Sequence, residues 1–340
     1  MNKIRFFDGG MGTMLQAAGL LGPGALPEPL NLTHPEEIAA IHQAYADAGA
    51  EFISTNTFGA NGLKFDNVEE LVQAATALVR RTGKKVVLDI GPLGKLLQPM
   101  GELAFDDAYD LFARTIRAGA PGADLVLIET MSDTLELKAA VLAAKENCDL
   151  PVFTTMIMDE KGRLLTGADI ETAVTMLEGL GVDALGFNCS MGPDQMLPLV
   201  AQLRELTCLP IIVNPNAGLP ESVNGETVYN VDRSLCREDG AIAKLGVSYL
   251  GGCCGTTPAH IAKMIQRVKD IPAVVHTPAP RTLVSSYSQT VELGKKPVIV
   301  GERINPTGKK LMKAALREKD INYLIKEGIA QKDKAPIFWM

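Results

Sequence analysis

The residues with the sharpest chemistry are three cysteines. Two are adjacent, in Gly251-Gly252-Cys253-Cys254-Gly255-Thr256, and the third, Cys189, stands in Gly186-Phe187-Asn188-Cys189-Ser190. Three thiolates plus one open position is the ligand count of a catalytic zinc, whereas structural zinc sites close with four protein ligands. Soft sulfur suits zinc better than magnesium or calcium. Neighbours in a regular strand point to opposite faces. Cys253 and Cys254 could therefore share one ion only if the flanking glycines bend the chain. Spacing alone also allows two buried thiols, or a phosphate-binding loop over 251–255. A Cys–His nucleophile lacks a base, because His34, His42, His260 and His276 all fall away from candidate strand ends and read as surface or core residues. Cys148, Cys208 and Cys236 lie in or after helical stretches and read as small buried hydrophobes.

A zinc ion already bound by three thiolates carries net negative charge and makes no strongly acidic water. It binds a thiol, deprotonates it and leaves the sulfur nucleophilic. The chemistry to expect is alkyl transfer to a thiol. Asp8 and Glu129 are placed to receive an amino group, and backbone N–H groups near Gly9 a carboxylate. For either acid, a salt bridge or helix cap is the competing role.

These residues need a scaffold that brings them together. Eight short β-rich runs, at 5–8, 51–55, 85–90, 124–129, 152–158, 183–188, 211–214 and 248–251, alternate with helical stretches. Ile38, Ile41, His42 and Tyr45 follow helical spacing, as do Ile261, Met264, Ile265 and Val268, and Ile170, Val174 and Leu177. Pro35 after Thr33, and Pro258 after Thr256-Thr257, fit first helical turns. Eight strand–helix units predict an α/β fold, a (β/α)8 TIM barrel of roughly 250 residues. The alternative, a doubly wound sheet, usually carries a dinucleotide fingerprint, and Gly10-Met11-Gly12-Thr13-Met14-Leu15 lacks its third glycine. Barrel chemistry sits at the C-terminal ends of the strands. Those ends hold Asp8, Asn56-Thr57, Glu129-Thr130, Asn188-Cys189, Asn214 with Asn216, and Cys253-Cys254.

Beyond the barrel, expected over 1–275, the stretch 276–297 is rich in Ser, Thr and Pro and reads as a linker. A strand over 298–305, a turn at Pro306-Thr307-Gly308 and one helix over about 309–331 follow. One strand and one helix cannot bury a core, so 298–340 reads as the opening fragment of a second domain. Trp339 closes the chain in an apolar run, as a strand with no sheet to join.

Composition bounds the partners. The 340 residues carry 33 Lys and Arg against 40 Asp and Glu, a net charge of −7, which disfavours a nucleic-acid binder. No apolar run approaches the ~18 residues of a membrane span. Six cysteines at this length exclude a disulfide scaffold, and no signal peptide is legible, so a reducing cytoplasmic setting is expected.

Asp8-Gly9-Gly10-Met11-Gly12-Thr13, Thr55-Asn56-Thr57-Phe58, Gly91-Pro92-Leu93-Gly94, Glu129-Thr130-Met131, Gly186-Phe187-Asn188-Cys189-Ser190 and Gly251-Gly252-Cys253-Cys254-Gly255-Thr256 occur in this order. Together they resemble the homocysteine S-methyltransferase family. The resemblance implies zinc held by Cys189, Cys253 and Cys254. It implies a homocysteine amino group at Asp8 and Glu129, and its carboxylate at Gly9 and Thr57. The family's branches use methylcobalamin, S-methylmethionine or betaine as methyl donor. The tail, Val300-Gly301-Glu302-Arg303-Ile304-Asn305-Pro306-Thr307-Gly308, resembles the opening of the methyltetrahydrofolate (pterin)-binding barrel of cobalamin-dependent methionine synthases. That implies Glu302 and Asn305 near a pterin, methylcobalamin as donor, and cobalamin-binding and methyltetrahydrofolate-binding modules as partners. The alternatives are a stand-alone methyltransferase using S-methylmethionine or another donor, and a homocysteine- and zinc-binding module that is inactive without those modules.

Overall fold

The computed structural model describes the chain except residues 1–2, 23, 190, 219, 224–225, 230–234, 275, 302–303, 334–337 and 340. For 220–223, 226–229, 235–238 and 338–339 it describes the backbone alone. The chain divides into two compact units, Met1–Pro278 and Ala279–Met340.

The first unit carries eight parallel strands: β1 Arg5–Phe6, β2 Phe52–Ser54, β3 Lys85–Ile90, β4 Leu125–Met131, β5 Val152–Met156, β6 Ala184–Asn188, β7 Ile211–Asn214 and β8 Tyr249–Leu250. They pair in cyclic sequence order, from β2 round through β7 to β8 and β1. A parallel bridge between Phe7 and Phe52, with Glu51 N donating to Phe6 O at 2.8 Å and Asp8 N to Phe52 O at 3.1 Å, closes the ring. This is the (β/α)8 barrel expected from the sequence. β1 and β8 are shorter than their apolar runs, so Asp8 and the two cysteines lie beyond the regular strands.

Helices follow each strand, and their apolar stripes face the barrel. Ile38, Ile41, His42 and Tyr45 are all buried on Pro35–Asp47, and Ile261, Met264 and Val268 on Pro258–Val268. Ile170, Val174 and Leu177 are buried on Ile170–Gly179. Thr257 caps Pro258–Val268 in a reciprocal box with His260, which spends that histidine on a helix start. His42 is wholly buried, and burial pushes its pKa down to about 3, so it packs as a neutral core residue.

Side chains alternate along a strand, and the inward set of β2 to β8, with Phe7 just past β1, forms a plug. Phe7, Phe52, Val87, Leu125, Leu127, Phe153, Ala184 and Ile212 cluster with Tyr249 against them. Phe7 stacks on Phe52 with ring centroids 4.7 Å apart, and Tyr249 meets Phe7 edge-on at 5.9 Å. A chain only 5% aromatic thus spends four rings on filling the barrel. The plug makes an apolar floor, and polar groups gather at the C-terminal ends of the strands.

The second unit differs from its expected organisation in three places. The stretch read as a linker contains an antiparallel hairpin, Thr282–Ser285 with Thr290–Leu293, whose Glu292 accepts from Arg281 and Lys295. The single helix is two, Lys310–Glu318 and Ile321–Lys332, because Lys319 adopts a left-handed φ of 56° and Asp320 caps the next helix through Tyr323 N. Trp339 does join a sheet: Phe338–Trp339 pairs in parallel with Val300–Gly301, the short remnant of the longer strand expected there. Glu302 lies outside the described residues. Asn305 is exposed, and its Oδ1 accepts from Thr307 N in the turn.

Candidate metal and substrate site

Two loops build the site, and they are laced together. After β1, Gly10 N donates to Thr256 O at 3.1 Å, and Gly255 N donates to Thr13 Oγ1 at 2.9 Å. Tyr45 Oη donates to Thr256 O at 2.7 Å from beneath. The cysteines lie past the end of β8, in a turn where neighbouring side chains need not alternate. Gly252 is required there, since a Cβ would sit 2.2 Å from Thr256 Cγ2, and Gly255 takes a φ of +76°. Cys253 N donates to Pro215 O, and Ala217 N to Cys254 O, which ties this turn to the end of β7.

Cys189 comes from the end of β6 with a φ of +54°, and Thr130, after Glu129, has a φ of +63°. Left-handed backbone at such residues costs of order 1–3 kcal/mol each and persists where surrounding bonds over-determine it. For Cys189 those bonds are its N–H to Asn214 O at 3.1 Å and its own O accepting from Met191 N. For Thr130 they come from Asn188, whose Oδ1 accepts from Thr130 N at 3.0 Å while Nδ2 donates to Thr130 Oγ1 at 2.7 Å. The same Nδ2 lies 3.3 Å from Glu129 Oε2 and 3.9 Å from Cys253 Sγ.

The outcome is a three-sulfur cluster. The Sγ atoms of Cys189, Cys253 and Cys254 lie within 4.8 Å of one another, and Cys189 and Cys254 are 3.8 Å apart. Zinc–sulfur bonds of ~2.3 Å at tetrahedral angles separate two sulfurs by about 3.8 Å, so the geometry fits the ion. As a bare thiol Cys253 resists ionisation: hydrogen bonding from Cys189 and Cys254, then burial, holds it well above its ordinary pKa. A divalent cation reverses that balance, because a coordinating thiol gives up its proton to the metal's charge.

A cavity of about 250 Å³ opens beside the sulfurs. Asp8, Gly9, Thr13, Ser54, Asp89 and Glu129 are among its lining residues, with all three cysteines. Asp8 accepts from Ser54 N at 2.9 Å and Ser54 Oγ at 3.0 Å, yet burial outweighs these bonds and pushes its pKa up to about 7. Glu129 is pushed up to about 8, by burial first and then by Cys189 and Asp8. Asp89 is raised well above the carboxylate range by burial, then by Glu129 and Asp8. Crowded buried acids favour a cationic group between them.

Of the residues singled out in the sequence, Asp8, Gly9, Glu129, Cys189, Cys253 and Cys254 share this cavity. Thr57 does not line it. Its hydroxyl is 2.7 Å from Asp89 O and 2.6 Å from Thr55 Oγ1, and its N–H donates to Thr55 O. Ser54 and Thr55 occupy the β2 side of the wall instead. Cys148 is half-buried and Cys208 is exposed, so neither is the buried hydrophobe expected, while the Cys236 side chain lies outside the described residues. Sequence reasoning missed Asp89, although a lone acid in the apolar run Lys85–Ile90, two residues from inward-facing Val87, was a usable signal.

The class is therefore a (β/α)8 barrel with a thiol trio and clustered carboxylates at its C-terminal face. Residues 5–268 match the family model for homocysteine S-methyltransferase, and the chain belongs to that family. It is 35% identical over 350 residues to the methionine synthase of Mycobacterium tuberculosis (strain ATCC 25618 / H37Rv). It is 35% identical over 355 residues to that of Mycobacterium leprae (strain TN). Each match covers 94% of this chain and 29% of the relative, so the chain spans under a third of their length. The fold is shared with the metallated form of the homocysteine methyltransferase MmuM from Escherichia coli. The TM-score is 0.68 at 23% identity, over 78% of this chain and 96% of that one. Among the described residues no helix is long and apolar enough to cross a membrane.

Proposed function

We propose that this chain is a zinc-dependent methyltransferase unit that activates homocysteine for methyl transfer in methionine synthesis. The observation that carries the reading is the sulfur trio at zinc spacing, facing Asp8 and Glu129 across one cavity. Cys189, Cys253 and Cys254 would hold the ion. When bound, zinc supplies a Lewis acid that keeps an incoming thiol, ordinarily of pKa ~8.5, deprotonated at neutral pH. Asp8 and Glu129 hold the substrate ammonium, and Ser54 fixes the Asp8 carboxylate by its two hydrogen bonds. The backbone at Gly9 receives the substrate carboxylate. Thr57, its sequence-based partner, supports this wall from behind by holding Asp89 O. No side-chain base is needed, in keeping with His42 and His260 serving the core and a helix cap.

The methyl donor in this reading is methylcobalamin, supplied by cobalamin-binding and methyltetrahydrofolate-binding modules, in the cytoplasm. The similarity to two methionine synthases over 94% of this chain, second unit included, favours it over S-methylmethionine. Metal analysis coupled to proton release on adding homocysteine tests the core of the proposal. One zinc per chain and one proton per thiol are expected; full homocysteine binding by metal-free protein would overturn it. Turnover with S-methylmethionine but none with methylcobalamin would overturn the donor.

A further inference from the structure

One buried amide touches both halves of the site. Asn188 is the last residue of β6, and its side chain is fully buried. Its orientation is fixed, because Oδ1 accepts from Thr130 N at 3.0 Å and the amide nitrogen must then face the other way. That nitrogen has two hydrogens and meets three acceptors: Thr130 Oγ1 at 2.7 Å, Glu129 Oε2 at 3.3 Å and Cys253 Sγ at 3.9 Å. Thr130 takes one hydrogen by its short distance. Glu129 and Cys253 compete for the other.

Neither competitor has a substitute. Among the described residues, Asn188 is the one hydrogen-bond partner of the Glu129 carboxyl group. It is also the one donor to Cys253 Sγ from outside the cysteine trio. Charge decides between them. As a neutral thiol Cys253 is a weak acceptor, and the nearer Glu129 oxygen holds the N–H. As a metal-bound thiolate it is ionised, and hydrogen bonds to ionised acceptors are about twice as strong as neutral ones.

We propose that Asn188 passes this N–H from Glu129 to Cys253 when the trio takes up zinc, and so couples metal loading to the substrate side of the cavity. Asn188 is a positioning residue, since it acts through Cys253 and Glu129. The inference rests on the homocysteine reading above and adds an order of events to it. Before loading, Glu129 Oε2 is occupied by the protein's own donor. After loading, that oxygen is buried and lacks one hydrogen bond, which favours an incoming ammonium. The coupling is reciprocal: an amine that satisfies Glu129 leaves the N–H to Cys253.

The test uses the full chain and L-2-aminobutyrate, which is homocysteine without its sulfur and so reports the amine side alone. Calorimetric titration of zinc-loaded protein, and of reduced protein stripped of zinc, gives the probe's affinity for each form. In the parent, loading should tighten the probe about fivefold or more. In Asn188→Ala, or in Asn188→Ser should the alanine variant not fold, that ratio should fall below about twofold. Chelator competition on the same variant should show zinc held about tenfold more weakly, the usual loss when an outer partner of a metal ligand is removed. Thr130→Ala disturbs the same turn but keeps the shared N–H, and should retain both the ratio and the zinc affinity. A parent ratio near one, or a ratio unchanged by loss of the Asn188 amide, would overturn the coupling. Equal loss in Thr130→Ala would also overturn it, by making the effect a general disturbance of the turn. A parent that binds the probe in neither form would instead overturn the amine site of the functional reading, so the two failures are distinguishable.

Discussion

Glu136 tests whether burial keeps a carboxyl protonated in this barrel. It lies in the first turn of the helix Thr134–Asn147, is 4% exposed, and its Oε1 accepts from Leu93 N at 2.7 Å. That bond pins the loop just after Asp89. Burial still outweighs it, and with help from nearby Asp133 raises the Glu136 pKa from 4.5 to about 7. Between these two pH values the folded chain keeps a proton that the unfolded chain has released. The group's contribution to stability is therefore full below pH 4.5 and is lost as pH rises to 7. The rise corresponds to about 3 kcal/mol. Glu136→Gln keeps an oxygen for Leu93 N and cannot ionise. Urea denaturation should show the variant close to the parent at pH 4.5 and more stable by about 3 kcal/mol at pH 8. Asp8, Asp89 and Glu129 also bind protons on folding, but they are common to both proteins and cancel in the difference. A variant that is less stable than the parent at pH 8, with the parent's full pH slope, would refute the reasoning. It would mean that the ionised carboxylate on Leu93 N is a net favourable contact.

Three further outcomes are expected. Cys254→Ala should abolish stoichiometric zinc binding while exposed Cys208→Ala leaves it intact, as read by metal analysis after dialysis; equal loss in both would identify the wrong cysteines. Asn188→Ala removes both hydrogen bonds that hold Thr130 in its left-handed backbone and should cost about 3 kcal/mol in urea denaturation. A cost under about 1 kcal/mol would show that Thr130 is held by other contacts. A chain ending at Pro278 should bind zinc and homocysteine as the full chain does, since the two units are separately compact; loss of either by calorimetry would make the second unit part of the barrel's stability.

The barrel was legible because its signals are local. Strand runs alternate with helical stripes, and Pro35 and Pro258 mark helix starts that the structure confirms. The second unit was less legible for the same reason. Its hairpin lacks a strong apolar alternation, every residue of both strands being intermediate or exposed. The break at Lys319 depends on one left-handed residue that carries no glycine to announce it. Trp339 looked stranded because its partner, Val300–Gly301, lies 38 residues away across two helices.

The site shows a sharper division. Strand-end reasoning found residues whose chemistry is distinctive wherever they stand, such as Cys189, Cys253 and Glu129. It could not choose between neighbours whose side chains alternate. Thr55 and Thr57 stand two residues apart in one motif, and both hydroxyls are buried and bonded to each other at 2.6 Å. Only the turn after Ser54 decides that Thr55 lines the cavity while Thr57 reaches back to Asp89 O. Asp89 was hidden by the opposite effect. It sits inside an apolar strand, where pattern reading assigns structure first and asks about charge last. Its Oδ1 is buried without a hydrogen-bond partner, a cost that an apolar pattern in the sequence does not announce.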